Sequence, residues 1–346
     1  MTNSMVAIVK KILSRYSQRF RPQQVDVPNG GFSGASIVRV RCPAGDFCLR
    51  GWQSGELPLQ RILGLHALMR HIFERGVNQV SVPVKSEEGS TLIEARDRLW
   101  QLEPWMPGDS DFWKNPREEL LRSAMRCLAA WHTAAATFKP HAEQATWFAS
   151  CSDVRSPAVL ERSGQINRWL QEKCSRLERK IPTAKPPEFR DIGRRLLDLF
   201  RRASPEVNYQ LRAAAQVRYA LQPCLRDIWH DHVLFSGDRV TGLIDASACR
   251  SENVATDLAR LLGSLVADDR KAWDLSLQEY QRYRRLSPDE LGLVLVLDSS
   301  GVLLSGMTWL DRLFLQGKQY TDVDHRRILD RLQRTASRLE NMISTM

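Results

Sequence analysis

The chain has 346 residues, of which 43% are apolar and 26% are charged, and its formal net charge is +10. This length indicates two lobes, and the composition is that of an ordinary globular protein, which excludes a disordered or fibrous chain. Asp298 and two serines interrupt the most apolar segment, and the seven cysteines are never spaced as CxxC, so we expect no membrane span, reduced thiols and a cytoplasmic location.

The first part of the chain predicts a helix followed by a strand-rich lobe. Residues 1–24 have the pattern of an amphipathic helix, and their lysines follow the apolar patch, which is not the order of a signal peptide. Residues 25–108 contain β-branched runs separated by glycines, as strands do. Within them, residues 59–76 have apolar side chains at helical spacing and a closing glycine, which predicts one helix.

The second part of the chain, residues 109–346, is mostly helical in pattern. One segment, 224–245, interrupts it: HVLF and VTGLID, joined by SGDR, predict a β-hairpin. A small sheet lobe followed by a large helical lobe is a two-lobed α+β architecture. The arginine run at 194–202 predicts a solvated helix face, and we expect no nucleic-acid partner.

Two features of the first lobe suit a phosphate ligand. The cluster PNGGFSG, from Pro28 to Gly34, lets the backbone approach a ligand closely and turn successive N–H groups toward phosphate oxygens. It lacks the GK[ST] of a P-loop, and a plain hairpin turn is the simpler alternative. Arg50 ends a strand one element later, where a cation could pair with phosphates, although a surface arginine is the more common case.

Segment 224–245 carries the strongest chemical signal. Asp227 lies in a loop before a strand, His232 follows five positions on, and Asp245 ends the second strand of the hairpin. This spacing brings three polar side chains to one end of a two-stranded ribbon. Asp227 could orient or deprotonate a hydroxyl group, while His232 and Asp245 could hold a metal ion.

The motifs and their order resemble those of the aminoglycoside phosphotransferase and choline kinase family, which has a protein-kinase-like fold. LRDIWHDH resembles the catalytic loop of that family, VLFSGDRVTGLID resembles the hairpin that ends in a metal-binding aspartate, and DLA at 257–259 resembles the start of the next helix. GGFSGASIVRV resembles the phosphate-covering loop, WQLEPWMPG the hinge, and LAAWH the helix after the hinge. The resemblance covers residues 25–150 and 222–265.

The resemblance implies a transfer of phosphate from ATP or GTP to a hydroxyl group of a small molecule, with Mg²⁺ or Mn²⁺ as the divalent metal. It makes Asp227 the catalytic residue and makes His232 and Asp245 the metal ligands. Backbone groups around Glu103 and Trp105 would bond adenine. The residues implied in nucleotide binding are Gly31, Ser33, Gly34, Arg50, His66, Glu103 and Trp105.

Three positions depart from the family pattern. Arg50 replaces the strand lysine, and arginine grips phosphate with a different geometry. The predicted helix has no acidic partner for this cation before Glu74; His66 has about the right spacing, and Glu56 is less suitable. His232 replaces the metal-binding asparagine, and an imidazole nitrogen suits Mn²⁺ or Zn²⁺ better than Mg²⁺. A pseudokinase that binds nucleotide or a partner without phosphoryl transfer therefore remains the alternative.

The charge of the helical lobe bears on the acceptor. Enzymes that bind polycationic aminoglycosides need an acidic surface, whereas the residues after Gly108 carry a surplus of arginine and lysine. Acidic residues at 268–290 could still form a local acidic patch. On balance the sequence predicts a neutral or anionic acceptor, such as a sugar, a polyol or a phosphorylated metabolite.

Overall fold

The computed structural model describes residues 3–28, 36–53, 55–183, 187–318, 320 and 322–345. The main sheet lies in the first part of the chain and most of the helical length in the second, which confirms the predicted α+β class. The elements up to residue 150 are α1 (Asn3–Leu13), β1 (Gln24–Asp26), β2 (Ser36–Cys42), β3 (Gly45–Trp52), α2 (Leu59–Glu74), β4 (Ile93–Ala95), β5 (Arg98–Pro104), α3 (Glu118–Ala136) and α4 (Ala145–Phe148).

The second part of the chain adds five short strands and most of the helical length. The predicted hairpin is present as β8 and β9. The elements are β6 (Cys151–Val154), α5 (Pro157–Arg168), α6 (Cys174–Lys180), α7 (Glu188–Ala214), β7 (Tyr219–Cys224), β8 (Val233–Ser236), β9 (Arg239–Leu243), β10 (Arg250–Glu252), α8 (Ala255–Leu265), α9 (Arg270–Gln281), α10 (Pro288–Leu310) and α11 (Asp322–Ser344).

The main sheet is antiparallel, with the strand order β1-β2-β3-β5-β4. In the register of β3 and β5, Arg50 lies opposite Gln101, and Cys48 lies opposite Glu103. Residues directly opposite each other, and those two positions further along, point to the same face of a sheet. The register therefore gathers Arg50, Gln101 and Glu103 on one face.

The other face of this sheet forms an apolar core with helix α1. Apolar residues recur along α1 at helical spacing, so one side of the helix packs against the sheet. Fully burying a side chain of this size stabilises a fold by about 1.5 to 3 kcal/mol. The buried members of this core are Val9, Ile12, Leu13, Tyr16, Phe20, Val38, Val40, Cys42, Phe47, Leu49, Ile93, Trp100 and Leu102.

The chain divides into two compact units. Unit 1 comprises Met1–Ser150, Gln222–Ser251 and Asp274–Arg284, and it contains the main sheet, α2, α3 and the hairpin. Unit 2 comprises Cys151–Leu221, Glu252–Trp273 and Arg285–Met346, with α7, α10 and α11 packed together. The division predicted from sequence, at 1–24, 25–108 and 109–346, stays a prediction.

One segment in the described part of the chain, Pro288–Leu315, is long and apolar enough to cross a membrane by length and composition alone. It contains α10, and half of its most apolar window is buried. Asp298 within it binds Arg338 of α11 at 2.9 Å, and its helix begins with a capping box between Ser287 and Glu290. Core helices of soluble proteins have these properties, so we assign α10 to the core of unit 2.

Candidate active site

The centre of the candidate site is Arg50, which lies on β3 in unit 1 and has only 13% of its side chain exposed. Its Nη1 donates to Oδ1 of Asp245 at 3.0 Å, and its Nε lies 3.7 Å from Oε1 of Glu103. The guanidinium also lies over the ring of Trp52, at 5.4 Å from the ring centroid. A single buried cation therefore contacts two carboxylates and one aromatic face.

Glu103 is held by a second layer of hydrogen bonds. Its Oε2 accepts a hydrogen bond from Nε2 of Gln101 at 2.8 Å. Burial raises the pKa of Glu103, and the charge of Arg50 acts in the opposite direction. The side-chain oxygen of Gln101, Oε1, accepts a hydrogen bond from Nε1 of Trp52 at 2.7 Å and contacts Nε2 of His66 at 2.9 Å. The amide of Gln101 thus joins the ion pair to the interior of unit 1.

His66 supports this network and is not the partner of Arg50 that its spacing predicted. The Gln101 oxygen that it contacts has no hydrogen to give, so Nε2 of His66 carries the proton and donates it. Its Nδ1 then accepts from the hydroxyl of Thr91 at 2.8 Å. Burial lowers the pKa of His66 to about 4, which keeps the ring neutral at pH 7. The acidic partner of Arg50 is Glu103, on the neighbouring strand.

The predicted catalytic loop follows β7 and exposes the side chain of Asp227. The residue before it, Arg226, has a left-handed backbone with φ of 65°. Nδ1 of His232 contacts the carbonyl oxygen of Asp227 at 2.8 Å, and Nε1 of Trp229 donates to Nε2 of His232 at 2.9 Å. Since Nε2 accepts, the proton of His232 is on Nδ1 and is donated to the Asp227 carbonyl.

Asp245 follows β9 and has a left-handed backbone with φ of 59°. The carbonyl of His232 accepts from the N–H of Ile244 at 3.0 Å, so the hairpin brings His232 beside Asp245. Burial works to raise the pKa of the Asp245 carboxyl, but Arg50, His232 and a hydrogen bond from Ser247 together outweigh it and hold the pKa below its usual value. A non-glycine residue in this conformation costs about 1 kcal/mol or more, and such residues cluster at functional sites.

The other predicted nucleotide contacts are only partly described. Gly31, Ser33 and Gly34 lie outside the described residues. Trp105 lies directly after β5, where its backbone N–H donates to the carbonyl of Asp46 at 3.0 Å. That bond takes up one of the backbone donors of the predicted hinge, and the adenine contact of Trp105 stays a prediction.

The side chains of the site fit a divalent metal ion in part. Oδ2 of Asp245 and Nε2 of His232 are 3.9 Å apart, within the separation of about 3 to 4 Å that two ligands of one ion have. Asp245 is held in its ionised form, and Mg²⁺ is commonly bound by one carboxylate together with phosphates and water. The lone pair of His232 Nε2, however, accepts the hydrogen bond of Trp229. The predicted metal role of His232 stays a prediction and depends on the release of that bond.

Sequence reasoning missed three contributors to this site. The side chain of Glu103 was expected only as part of a hinge, and Gln101 and Trp229 were given no role. The strand pattern around Arg50 could have identified Glu103, because in a paired antiparallel strand an acid two residues from the opposite position shares its face. The indole of Trp229 offered a weaker signal, since it lies three residues before a histidine in a tight turn.

Comparison with known proteins finds a matching family model and similar solved structures. The model of the phosphotransferase enzyme family matches residues 25–291. No curated protein sequence matches significantly. The amicoumacin kinase hAmiN, solved in complex with AMP-PNP and Ca²⁺, is 14% identical with a TM-score of 0.66, over 99% of this chain and 94% of its own. A microcompartment-associated aminopropanol kinase is 14% identical with a TM-score of 0.65, over 98% of both chains.

A third similar structure is the choline kinase LicA from Streptococcus pneumoniae, which is 12% identical with a TM-score of 0.55, over 98% of this chain and 100% of its own. Likeness at such low identity establishes the fold, and it confirms the predicted kinase-like architecture. The family match spans most of the chain and includes the glycine-rich segment, Arg50 and the hairpin that ends in Asp245. The predicted resemblance is therefore confirmed, and the chain belongs to the phosphotransferase enzyme family.

Proposed function

We propose that this protein transfers the γ-phosphoryl group of ATP or GTP to a hydroxyl group of a small molecule. The observation that carries the proposal is the contact of 3.0 Å between Arg50 and the ionised Asp245 in unit 1. A buried cation beside an ionised carboxylate can bind both a phosphate and the metal ion that accompanies it. The loop with Asp227 lies within the residues that the family model matches.

The reaction that we propose needs little covalent chemistry from the protein. Asp227 orients the acceptor hydroxyl and takes its proton, while a bond forms between the acceptor oxygen and the γ-phosphorus and the bond from that phosphorus to the bridging oxygen breaks. Arg50 stabilises the negative charge of the phosphates. A divalent ion, Mg²⁺ or Mn²⁺, neutralises phosphate charge when it is bound, and Asp245 is the ligand that we propose for it.

The similar structures support three parts of the proposal: the nucleotide, the divalent metal ion and a small acceptor molecule. The amicoumacin kinase was solved with AMP-PNP and Ca²⁺, and the aminopropanol and choline kinases are named for small acceptors. The free state of all seven cysteines agrees with a reducing compartment, so we propose a cytoplasmic enzyme. We propose no nucleic-acid partner.

We propose a neutral or anionic acceptor. Three arginines of unit 1 support this proposal. Arg226 directly precedes Asp227 in the chain, and Arg61 lies near both Arg226 and Arg250. Burial, and after it the positive charges of Arg250 and Arg226, lower the pKa of Arg61, as expected of cations that lie close together. The guanidinium of Arg61 is positioned by a hydrogen bond of 3.3 Å to the Ser247 carbonyl. A group of like charges raises the local concentration of anions and repels cations.

A second candidate function, a pseudokinase, is favoured by the way Arg50 is bound. Its charge is already balanced by Glu103 and Asp245, so nucleotide phosphates must compete with two carboxylates for it. A protein with this arrangement could bind nucleotide weakly and transfer no phosphate. The altered position at His232 points in the same direction.

The experiment is a nucleotide titration followed by a transfer assay. Thermal stability is measured with ATP or GTP, each with Mg²⁺ or Mn²⁺, and phosphate transfer is then followed by ³¹P NMR across sugars, polyols, phosphorylated metabolites and amino alcohols. Transfer that is lost in Asp227→Asn supports the enzyme. Nucleotide binding without transfer to any compound supports the pseudokinase, and the absence of any nucleotide response contradicts both.

A further inference from the structure

His232 has the arrangement of a metal-binding imidazole. Its Nδ1 donates to a backbone carbonyl, that of Asp227, and such a bond normally fixes the ring so that Nε2 points at a metal. Its Nε2 lies 3.9 Å from Oδ2 of Asp245, on the carboxylate that we propose as a metal ligand. On these two observations alone, a nitrogen and an oxygen would bind the ion together.

A third contact changes this expectation. Nε1 of Trp229 donates a hydrogen bond to Nε2 of His232 at 2.9 Å. An indole nitrogen can only donate, and a neutral imidazole has a single acceptor nitrogen, so this bond occupies the lone pair that a metal ion would need. The indole is held in place by edge contacts with both neighbouring imidazoles, at 5.4 Å from the ring of His232 and 4.7 Å from that of His230.

We infer that Trp229 determines which metal ion this site accepts, because its indole N–H covers Nε2 of His232 and leaves Asp245 to bind the ion through oxygen alone. The inference rests on the proposed function, in which a metal ion accompanies the nucleotide. An oxygen-only site suits Mg²⁺, whereas an added imidazole nitrogen favours Mn²⁺ and Zn²⁺. The preference that the residue types alone predicted is thereby reversed.

The substitution Trp229→Phe tests the inference, because it keeps an aromatic ring and removes only the donor and part of the ring area. Releasing one hydrogen bond makes the nitrogen available at a gain of about two- to tenfold in affinity. Mn²⁺ should therefore bind the variant, in the presence of AMP-PNP, up to about tenfold more tightly than it binds the wild type. Binding of Mg²⁺ should change much less. Trp113→Phe is the matched control, since Trp113 lies against His230 and not against His232.

The first measurement needs neither nucleotide nor metal. Long-range ¹H–¹⁵N NMR distinguishes the two tautomers of each imidazole, and His232→Asn identifies the signals of His232. The wild type should show the proton of His232 on Nδ1. Trp229→Phe should keep it there, because the Asp227 carbonyl still accepts it, while the ¹⁵N signal of Nε2 moves toward that of a nitrogen with a free lone pair. A wild type with the proton on Nε2 would overturn the inference, because the indole could not then donate to that nitrogen.

The second measurement is electron spin echo spectroscopy of Mn²⁺ bound with AMP-PNP, which detects an imidazole nitrogen that is directly coordinated. The wild type and Trp113→Phe should show no such nitrogen, Trp229→Phe should show one, and Trp229→Phe combined with His232→Asn should lose it again. A coordinated imidazole in the wild type, or none in Trp229→Phe, overturns the inference. If Mn²⁺ and AMP-PNP bind to no variant, the proposed function fails, and the tautomer measurement still decides whether Trp229 covers His232.

Discussion

Oε1 of Glu103 lies 3.7 Å from Nε of Arg50, and the two residues belong to neighbouring strands of one sheet. In protein kinases the corresponding strand lysine pairs with a glutamate on a helix, and movement of that helix controls activity. Here the register of β3 and β5 fixes the acid in place. The pair in this protein therefore forms with the sheet itself and does not depend on the position of α2.

Removing the cation should destabilise the fold strongly. Arg50→Met leaves Glu103 and Asp245, whose side chains are 13% and 27% exposed, without their cation, and breaking a largely buried pair in this way costs up to about 3 kcal/mol. The free energy of unfolding in urea, measured at pH 7, gives this cost. The double variant Arg50→Met with Glu103→Gln should recover part of it, because the neutral amide needs no counter-charge while Asp245 still lacks its cation. Equal free energies of unfolding for the single and double variants would show that the charge of Glu103 does not contribute to this cost.

Stability should depend on pH through His66. Its pKa is about 4 in the folded protein and 6.5 in the unfolded chain, so as the pH falls from 6.5 to 4 the unfolded chain binds a proton that the folded protein does not. The fold should lose about 3 kcal/mol over that window, at about 1.4 kcal/mol for each unit. His66→Gln, which can still donate to Gln101, should lose correspondingly less. Parallel pH profiles for the two proteins would argue against a neutral, buried His66.

The role proposed for Asp227 predicts a selective loss of turnover. Asp227→Asn removes the proton acceptor and keeps the shape, so the transfer rate should fall by about 100-fold or more. Nucleotide affinity, measured by calorimetry, should stay close to that of the wild type. Asp231→Asn is the control, because Asp231 is an exposed acid on the same loop. Unchanged transfer in Asp227→Asn would remove this residue from the reaction.

The charges around the catalytic loop predict which compounds the protein does not phosphorylate. Aminoglycosides are polycations, and Arg61, Arg226 and Arg250 disfavour them. Expression in a susceptible bacterium should therefore give no resistance to a panel of these drugs, and purified protein should transfer no phosphate to them. A rise in resistance that disappears in Asp227→Asn would overturn the proposed acceptor class while supporting the proposed reaction.

The architecture was predictable from sequence because it depends on local patterns. Apolar periodicity identified α2 and the helices after it, and the turn residues SGDR identified the hairpin of β8 and β9. The turn is shorter than predicted, because Ser236 and Arg239 pair as strand residues and leave only Gly237 and Asp238 between the strands. The motif order then indicated the family. These signals lie within short segments, where periodicity and turn residues determine the conformation.

The partners within the site were harder to predict, because they depend on strand register and on the direction of single hydrogen bonds. A helical acid was sought for Arg50, but the register of β3 and β5 supplied Glu103 from the adjacent strand. His232 was identified as a metal-type residue, yet residue type alone does not reveal that Trp229 donates to its Nε2. Such contacts join residues only once the chain has folded.

The left-handed backbone at Arg226 and at Asp245 has a consequence for attempts to improve this protein. Glycine adopts that conformation without penalty, so replacing Arg226 by glycine would relieve about 1 kcal/mol of strain. At Asp245 the same change would also remove the contact with Arg50, which costs more than the strain that is relieved. Laboratory selection for thermostability or expression yield alone would thus reward a change at Arg226, one of the cations that we propose to favour an anionic acceptor. A stabilised variant should be screened for phosphate transfer at every round, since robustness and activity compete at this residue.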